Sequence, residues 1–152
     1  MTKVLRKIGN IFRGLATISN IEFKPLGLHN GSYLYLNRIA ENPGIINDEL
    51  ADITCTDRTT TAKTVKRLID VGLVHKAPDL SNKKVRRLFT TEEGKSLYQQ
   101  LIKEENYSEI QALSGLSYAE QAELLRLLRI VEKNVAKDLL YVKNGKSRKY
   151  GI

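Results

Sequence analysis

The chain has 152 residues, 41% of them hydrophobic and 28% charged, with 25 basic against 17 acidic side chains and a net charge of +8. Such a composition suits one globular domain with a real core and argues against a disordered chain. No apolar run approaches the roughly 18–20 residues of a membrane span. Met1 to Gly14 mixes basic and apolar residues without the apolar centre of a secretory signal. Cys55 is the one cysteine and closes no intramolecular disulfide, so a cytoplasmic protein is expected.

Val4, Ile8, Ile11, Phe12, Leu15 and Ile18 recur at three- and four-residue steps, which predicts a long amphipathic helix at the N-terminus. Pro25-Leu-Gly27 and Asn42-Pro43-Gly44 are turn signals. Between them, Tyr33, Leu36, Ile39 and Ala40 predict a helix over Ser32 to Glu41. A short helix over Asn47 to Ile53 follows, with Asn47 as its expected cap and Asp48 and Glu49 at the positive end of its dipole. Thr54-Cys55-Thr56 then makes a tight turn into a second helix, about Asp57 to Val71. Ala62, Val65, Leu68 and Ile69 are expected on its inner side, with Thr59, Thr60, Lys63, Thr64 and Arg67 mostly opposite. Gly72 suits a left-handed helix stop.

Leu73 to Ala77 and Val85 to Thr90 read as two short strands joined by a polar, basic tip. Thr90 with Glu93, and Ser117 with Glu120, have capping-box spacing. The first box predicts a helix to about Gln111 with Leu97, Leu101 and Ile102 inward. The second predicts a long helix to about Val142, striped by Leu124, Leu128, Val131, Val135 and Leu139. That stripe must be buried somewhere.

The charge is clustered. Cys55 to Thr91 holds nine basic and three acidic residues, whereas Glu22 to Thr54 and Glu92 to Ala136 are net acidic. A clustered basic excess is either a solvated face or a footprint for an anionic partner. Two short helices, a tight turn and a hairpin make a winged helix-turn-helix, so the fold class is mainly α with a small β-hairpin wing. An α-helix fits the major groove of DNA, where every base pair shows a distinct donor and acceptor pattern. Arg58, Thr59, Thr60, Lys63, Lys66 and Arg67 are the candidate DNA-binding residues of the second helix. Lys83, Lys84 and Arg86 are those of the wing, placed to lie along the backbone or enter the minor groove.

Glu49-Leu-Ala51, Asp57-Arg58-Thr-Thr60, Leu68 with Gly72-Leu-Val74, Asp79 and Thr91-Glu-Glu-Gly94 together resemble the MarR family of bacterial transcription regulators. The resemblance runs in element order along nearly the whole chain. It implies a homodimer on a pseudo-palindromic operator, with residues 28–91 as the DNA-binding region and 1–27 and 92–152 as the helical dimerisation region of a single domain. It implies repression, and release by a small aromatic or amphipathic effector. Phe12, Tyr33 and Tyr35 are candidates to line the effector pocket, although aromatic residues on helices are more often plain core. The chain departs from the family at the wing, where Asp-x-x-Asp-Arg-Arg is replaced by Asp79-Leu-Ser-Asn82-Lys83-Lys84. Lys84 takes the place of the minor-groove arginine. Asn82 is neutral where the family has an acid, which puts the usual wing-holding ion pair in question. Cys55 stands where the turn often has glycine, and no glycine role is carried over to it.

Other chemistries fit poorly. No phosphate-cradling glycine loop, HExxH or nucleophile elbow is present, so neither catalysis nor a cofactor is expected. His29, His75 and Cys55 lack the spacing of a metal site. The main alternative is a winged-helix protein-interaction module that docks an acidic partner.

Overall fold

A computed structural model describes residues 3–28 and 31–150; His29 lies outside the described residues. The elements are α1 (Val4–Phe23), a 3₁₀ turn (Lys24–Leu26), α2 (Ser32–Glu41), α3 (Asn47–Ile53), α4 (Arg58–Asp70), β1 (Val74–Pro78), β2 (Arg86–Thr90), α5 (Glu92–Ala112) and α6 (Tyr118–Lys143). Met1–Ser108 and Glu109–Ile152 form two compact units. Among the described residues no helix is long and apolar enough to cross a membrane.

The first unit is a winged helix. Its core takes Leu36 and Ile39 from α2, Leu50 from α3, Val65 and Leu68 from α4, Val74 from β1, Leu88 from β2 and Leu101 from α5. The strands pair antiparallel, from Val74 opposite Thr90 to Pro78 opposite Arg86. The turn before α3 is tied to β2 by two backbone bonds. The Gly44 N–H donates to the Leu88 carbonyl at 2.8 Å, and the Leu88 N–H donates to Ile45 at 2.9 Å. What reads in sequence only as a turn thus also holds the inner strand of the hairpin.

Helix ends follow from backbone groups seeking partners. Asn47 is not the cap of α3 but its first helical residue; Ile46 holds the cap position. An isoleucine side chain accepts no hydrogen bond, so the Glu49 carboxylate reaches back to the Ile46 N–H at 3.1 Å. The α5 cap is Thr91 instead of Thr90, its hydroxyl accepting from the Gly94 N–H at 3.0 Å. Only Thr90 has a glutamate three residues on, but Thr90 is taken up as the last residue of β2, so Thr91 caps the helix by its hydroxyl alone. Ser117 and Glu120 form the expected box on α6. Gly72 has φ of +78°. Its N–H donates to Ile69 at 2.9 Å and that of Leu73 to Leu68 at 2.9 Å, closing a Schellman motif on α4.

The second unit is dominated by α6, on which no residue is buried. Leu124, Leu125, Leu128, Val135 and Leu140 all stay exposed. On α1 of the first unit, Leu5, Ile11, Phe12, Ile18 and Ile21 are likewise exposed.

Candidate nucleic-acid interface

The helix-turn-helix begins at α3. Cys55 in its turn has φ of +54°, the one non-glycine residue with positive φ among those described, and its side chain is exposed. It therefore does take the conformation glycine favours. A left-handed conformation costs an L-residue roughly 1–2 kcal/mol, while glycine loses about 0.5–1 kcal/mol through its freer unfolded chain. Cys55→Gly is expected to raise stability by about 0.5 kcal/mol, and the β-branched Cys55→Val to lower it by about 1 kcal/mol. Denaturant midpoints of the two variants check the pair.

A row of hydroxyls fixes this turn against α2 and α4. Tyr35 Oη donates to Thr56 Oγ1 at 3.1 Å, Thr56 lies 2.9 Å from Thr61 Oγ1 and 2.8 Å from Thr54 Oγ1, and Thr61 donates to the Asp57 carbonyl at 3.0 Å. Thr61 spends its proton on the Asp57 carbonyl and Thr54 spends its own on the Leu50 carbonyl at 2.7 Å, so Thr56, which accepts from Tyr35, has one proton to share between these two neighbours. The hydroxyl cluster ties the start of α4 to α2.

Asp57 caps α4, accepting the Thr60 N–H at 2.8 Å and the Thr60 hydroxyl at 2.6 Å. The hydroxyl bond first, and the N–H bonds after it, hold its carboxyl below the usual aspartate range. Along α4, Thr61, Thr64, Val65 and Leu68 face inward. Thr64 is thus buried where the sequence expectation put it outside, and Ala62 is exposed where it was expected inside. Residues three and four apart share a helix face, which places Thr64 with Thr61 and Leu68. Its hydroxyl returns to the Thr60 carbonyl at 3.0 Å, so its burial leaves no donor stranded.

Arg58, Thr59, Thr60, Lys63, Lys66 and Arg67 are all exposed. Three of them have partners within the chain. Arg58 pairs with Asp48 at 3.2 Å and Lys66 with Asp70 at 2.7 Å, while Thr60 serves Asp57. Thr59, Lys63 and Arg67 have no side-chain hydrogen bond or ion pair among the described residues. Ala62 adds an exposed methyl group to the same outer surface, of the kind that meets a thymine methyl. Sequence reasoning missed it, although the inward spacing of Thr61, Thr64, Val65 and Leu68 excludes it from the core.

The wing is held by Asp79. Its Oδ1 accepts from the Ser81 hydroxyl at 2.6 Å and from the N–H groups of Ser81 and Asn82 at 2.8 and 2.9 Å. Its Oδ2 pairs with Arg87 Nε, and Arg87 Nη1 donates to the Gly44 carbonyl at 2.8 Å. The Ser81 hydroxyl and Arg87 hold the Asp79 carboxyl well below the usual carboxylate range. Such a group stabilises the fold above its unfolded pKa and loses that contribution as pH falls through the lowered one. The wing therefore has its ion pair, built from Asp79 and Arg87, despite the neutral Asn82. Arg87 anchors the wing, and Lys83, Lys84 and Arg86 remain exposed on it without an ion pair among the described residues.

The aromatic candidates are not gathered into one site. Phe12 is 66% exposed on α1. Tyr33 lies 5.3 Å from the Phe23 ring. Tyr35 is 5% exposed, with its hydroxyl on Thr56. Tyr33 and Tyr35 project about 200° apart around α2. A cavity of about 640 Å³ opens instead behind the hairpin, lined by Ala40, His75, Phe89, Lys95, Tyr98 and Gln99 among others. His75 stacks on Phe89 there, with ring centroids 5.6 Å apart. Burial first, then Glu41 and Glu105, push the Tyr98 hydroxyl above its ordinary pKa. Among the described residues no three His, Cys, Asp or Glu side chains come together to hold a metal ion.

The family model described as MarR matches residues 28–85, the winged helix as far as the start of β2. An HTH-type transcriptional regulator of Bacillus subtilis (strain 168), YybA, is 49% identical over 150 residues, which cover 99% of this chain and 100% of that one. The chain belongs to the MarR family. This MarR-family transcriptional regulator is also similar to two solved structures from Listeria monocytogenes. One is a SlyA-like transcription regulator, 47% identical with a TM-score of 0.94, covering 99% of this chain and 100% of that one. The other is a putative MarR family transcriptional regulator complexed with 26mer DNA, 47% identical with a TM-score of 0.95 and the same coverage. The winged helix and the element order of this MarR regulator are thus those the resemblance in its sequence implied.

Proposed function

We propose that this MarR-family regulator binds duplex DNA sequence-specifically as a homodimer on a pseudo-palindromic operator and represses transcription in the cytoplasm. The observation that carries the reading is the outer surface of α4, where Thr59, Lys63 and Arg67 stand exposed with no partner among the described residues. With Thr60 they are the base-facing residues; Arg58, Lys66, Lys83, Lys84 and Arg86 serve the phosphates and the wing. The relative complexed with 26mer DNA supports the same partner. The apolar surfaces left exposed on α1 and α6 support the dimer, since a second copy would bury both. Two recognition helices about 34 Å apart then meet successive major grooves. A small aromatic or amphipathic effector belongs to the same reading, and the cavity beside His75, Phe89 and Tyr98 has the size and lining for one.

The test is binding to a duplex from the gene's own upstream region beside a scrambled duplex, from 50 to 200 mM salt. The natural duplex is expected to bind more tightly by about 10³ or more. Equal binding that collapses with salt would leave only a charge footprint, and the protein-interaction reading, with an acidic partner on the same basic surface, would replace this one.

A further inference from the structure

Leu80, in the loop joining β1 to β2, is 105% exposed, more than any other large apolar side chain among the described residues. Single exposed leucines are ordinary, but this one combines three features. Its backbone is held. Asp79 ties down Ser81 and Asn82 on its far side, Arg87 ties Asp79 to Gly44, and the Lys84 N–H is held by Asn82 Oδ1 at 3.1 Å. Its surroundings are cationic, with Lys83, Lys84 and Arg86 exposed and without an ion pair among the described residues. It also lies on the hairpin, away in sequence from the apolar surfaces of α1 and α6.

We infer that Leu80 is an apolar wedge that enters the minor groove of DNA at the base step beneath the wing, between phosphates held by Lys83 and Lys84. The inference rests on the DNA-binding reading above and names a specificity element within it. An ammonium group is a compact, strongly hydrated charge and stays at the phosphates, whereas a leucine gains by leaving water. Apolar side chains that enter the minor groove partly unstack a base step and kink the duplex. Pyrimidine–purine steps yield most easily. Leu80 therefore selects a flexible step without a hydrogen bond to any base, and the fixed loop means that little freedom is lost on entry.

The test uses the duplex that the parent chain enriches from a random-core pool, with 2-aminopurine placed in turn at each step flanking the recognised half-site. With the parent chain, fluorescence is expected to rise at one step per half-site, and the enriched pool to hold TA or CA/TG there. Leu80→Ala is expected to keep the thermal midpoint, weaken binding about tenfold, abolish the fluorescence rise and leave the salt slope unchanged, because no phosphate contact is lost. Leu80→Lys should not restore the rise. If Leu80→Ala binds and brightens the probe as the parent does, the wedge is overturned while DNA recognition stands. If the parent enriches no sequence at all, the DNA-binding reading fails and the wedge with it; binding of an acidic protein through the wing would then explain the exposed leucine.

Discussion

Gly94→Ala is expected to lower stability by about 3 kcal/mol, which for a chain of this size is a fall of about 6–12 °C in thermal midpoint at fixed protein concentration. A Cβ built on Gly94 would stand 2.1 Å from the Leu73 carbonyl oxygen. That oxygen is not free to retreat. It accepts the Thr91 N–H at 3.0 Å, while the Leu73 N–H is held by Leu68 in the cap of α4. The Thr91 hydroxyl binds Gly72 at 2.7 Å from the same side. The first turn of α5 is therefore pressed against the end of α4, and only a residue without a side chain fits between them. The added methyl must push α5 outward, taking Leu101 from the core, or break the junction. A midpoint within about 2 °C of the parent would show that α5 has room to move there, contrary to this packing.

Arg67→Ala is expected to cost about 1–3 kcal/mol of discrimination between operator and scrambled duplex, roughly 5- to 150-fold in the affinity ratio. Arg67 is exposed on the outer surface of α4, and its planar fork suits bidentate reading of guanine. Lys84→Ala on the wing should behave differently, weakening all sequences alike and lowering the slope of log K against log salt by about one. The two effects separate base reading from phosphate attraction. If both variants bind operator and scrambled DNA as the parent does, the recognition surface lies elsewhere on the molecule.

Where periodicity and punctuation act locally, the chain was readable. The helix Ser32–Glu41 and the box of Ser117 with Glu120 lie where expected, because apolar spacing and capping are properties of a few neighbouring residues. The expectations that moved did so through contacts remote in sequence or through side chains with two uses. Thr64 looks like a surface residue until its hydroxyl is seen to satisfy itself on Thr60. Tyr35 looks available for a pocket until its hydroxyl is found on Thr56. Arg87 reads as one more wing cation, yet it bridges Asp79 and Gly44, eight and forty-three residues before it in the chain.

By itself the sequence determined the order of the elements, the winged helix-turn-helix, the clustered positive charge and the residues of α4 and the wing that carry it. Each is written in local spacing, turn chemistry or net charge. The tertiary structure alone decided which of those cations are already paired, how Asp79 and Arg87 hold a wing whose fourth position is neutral, why position 94 is glycine, and that Cys55 is left-handed and exposed. These depend on how closely two segments approach once the core of Leu36, Leu50, Leu68 and Leu88 has closed, and a distance across that core has no counterpart in the spacing of residues along the chain.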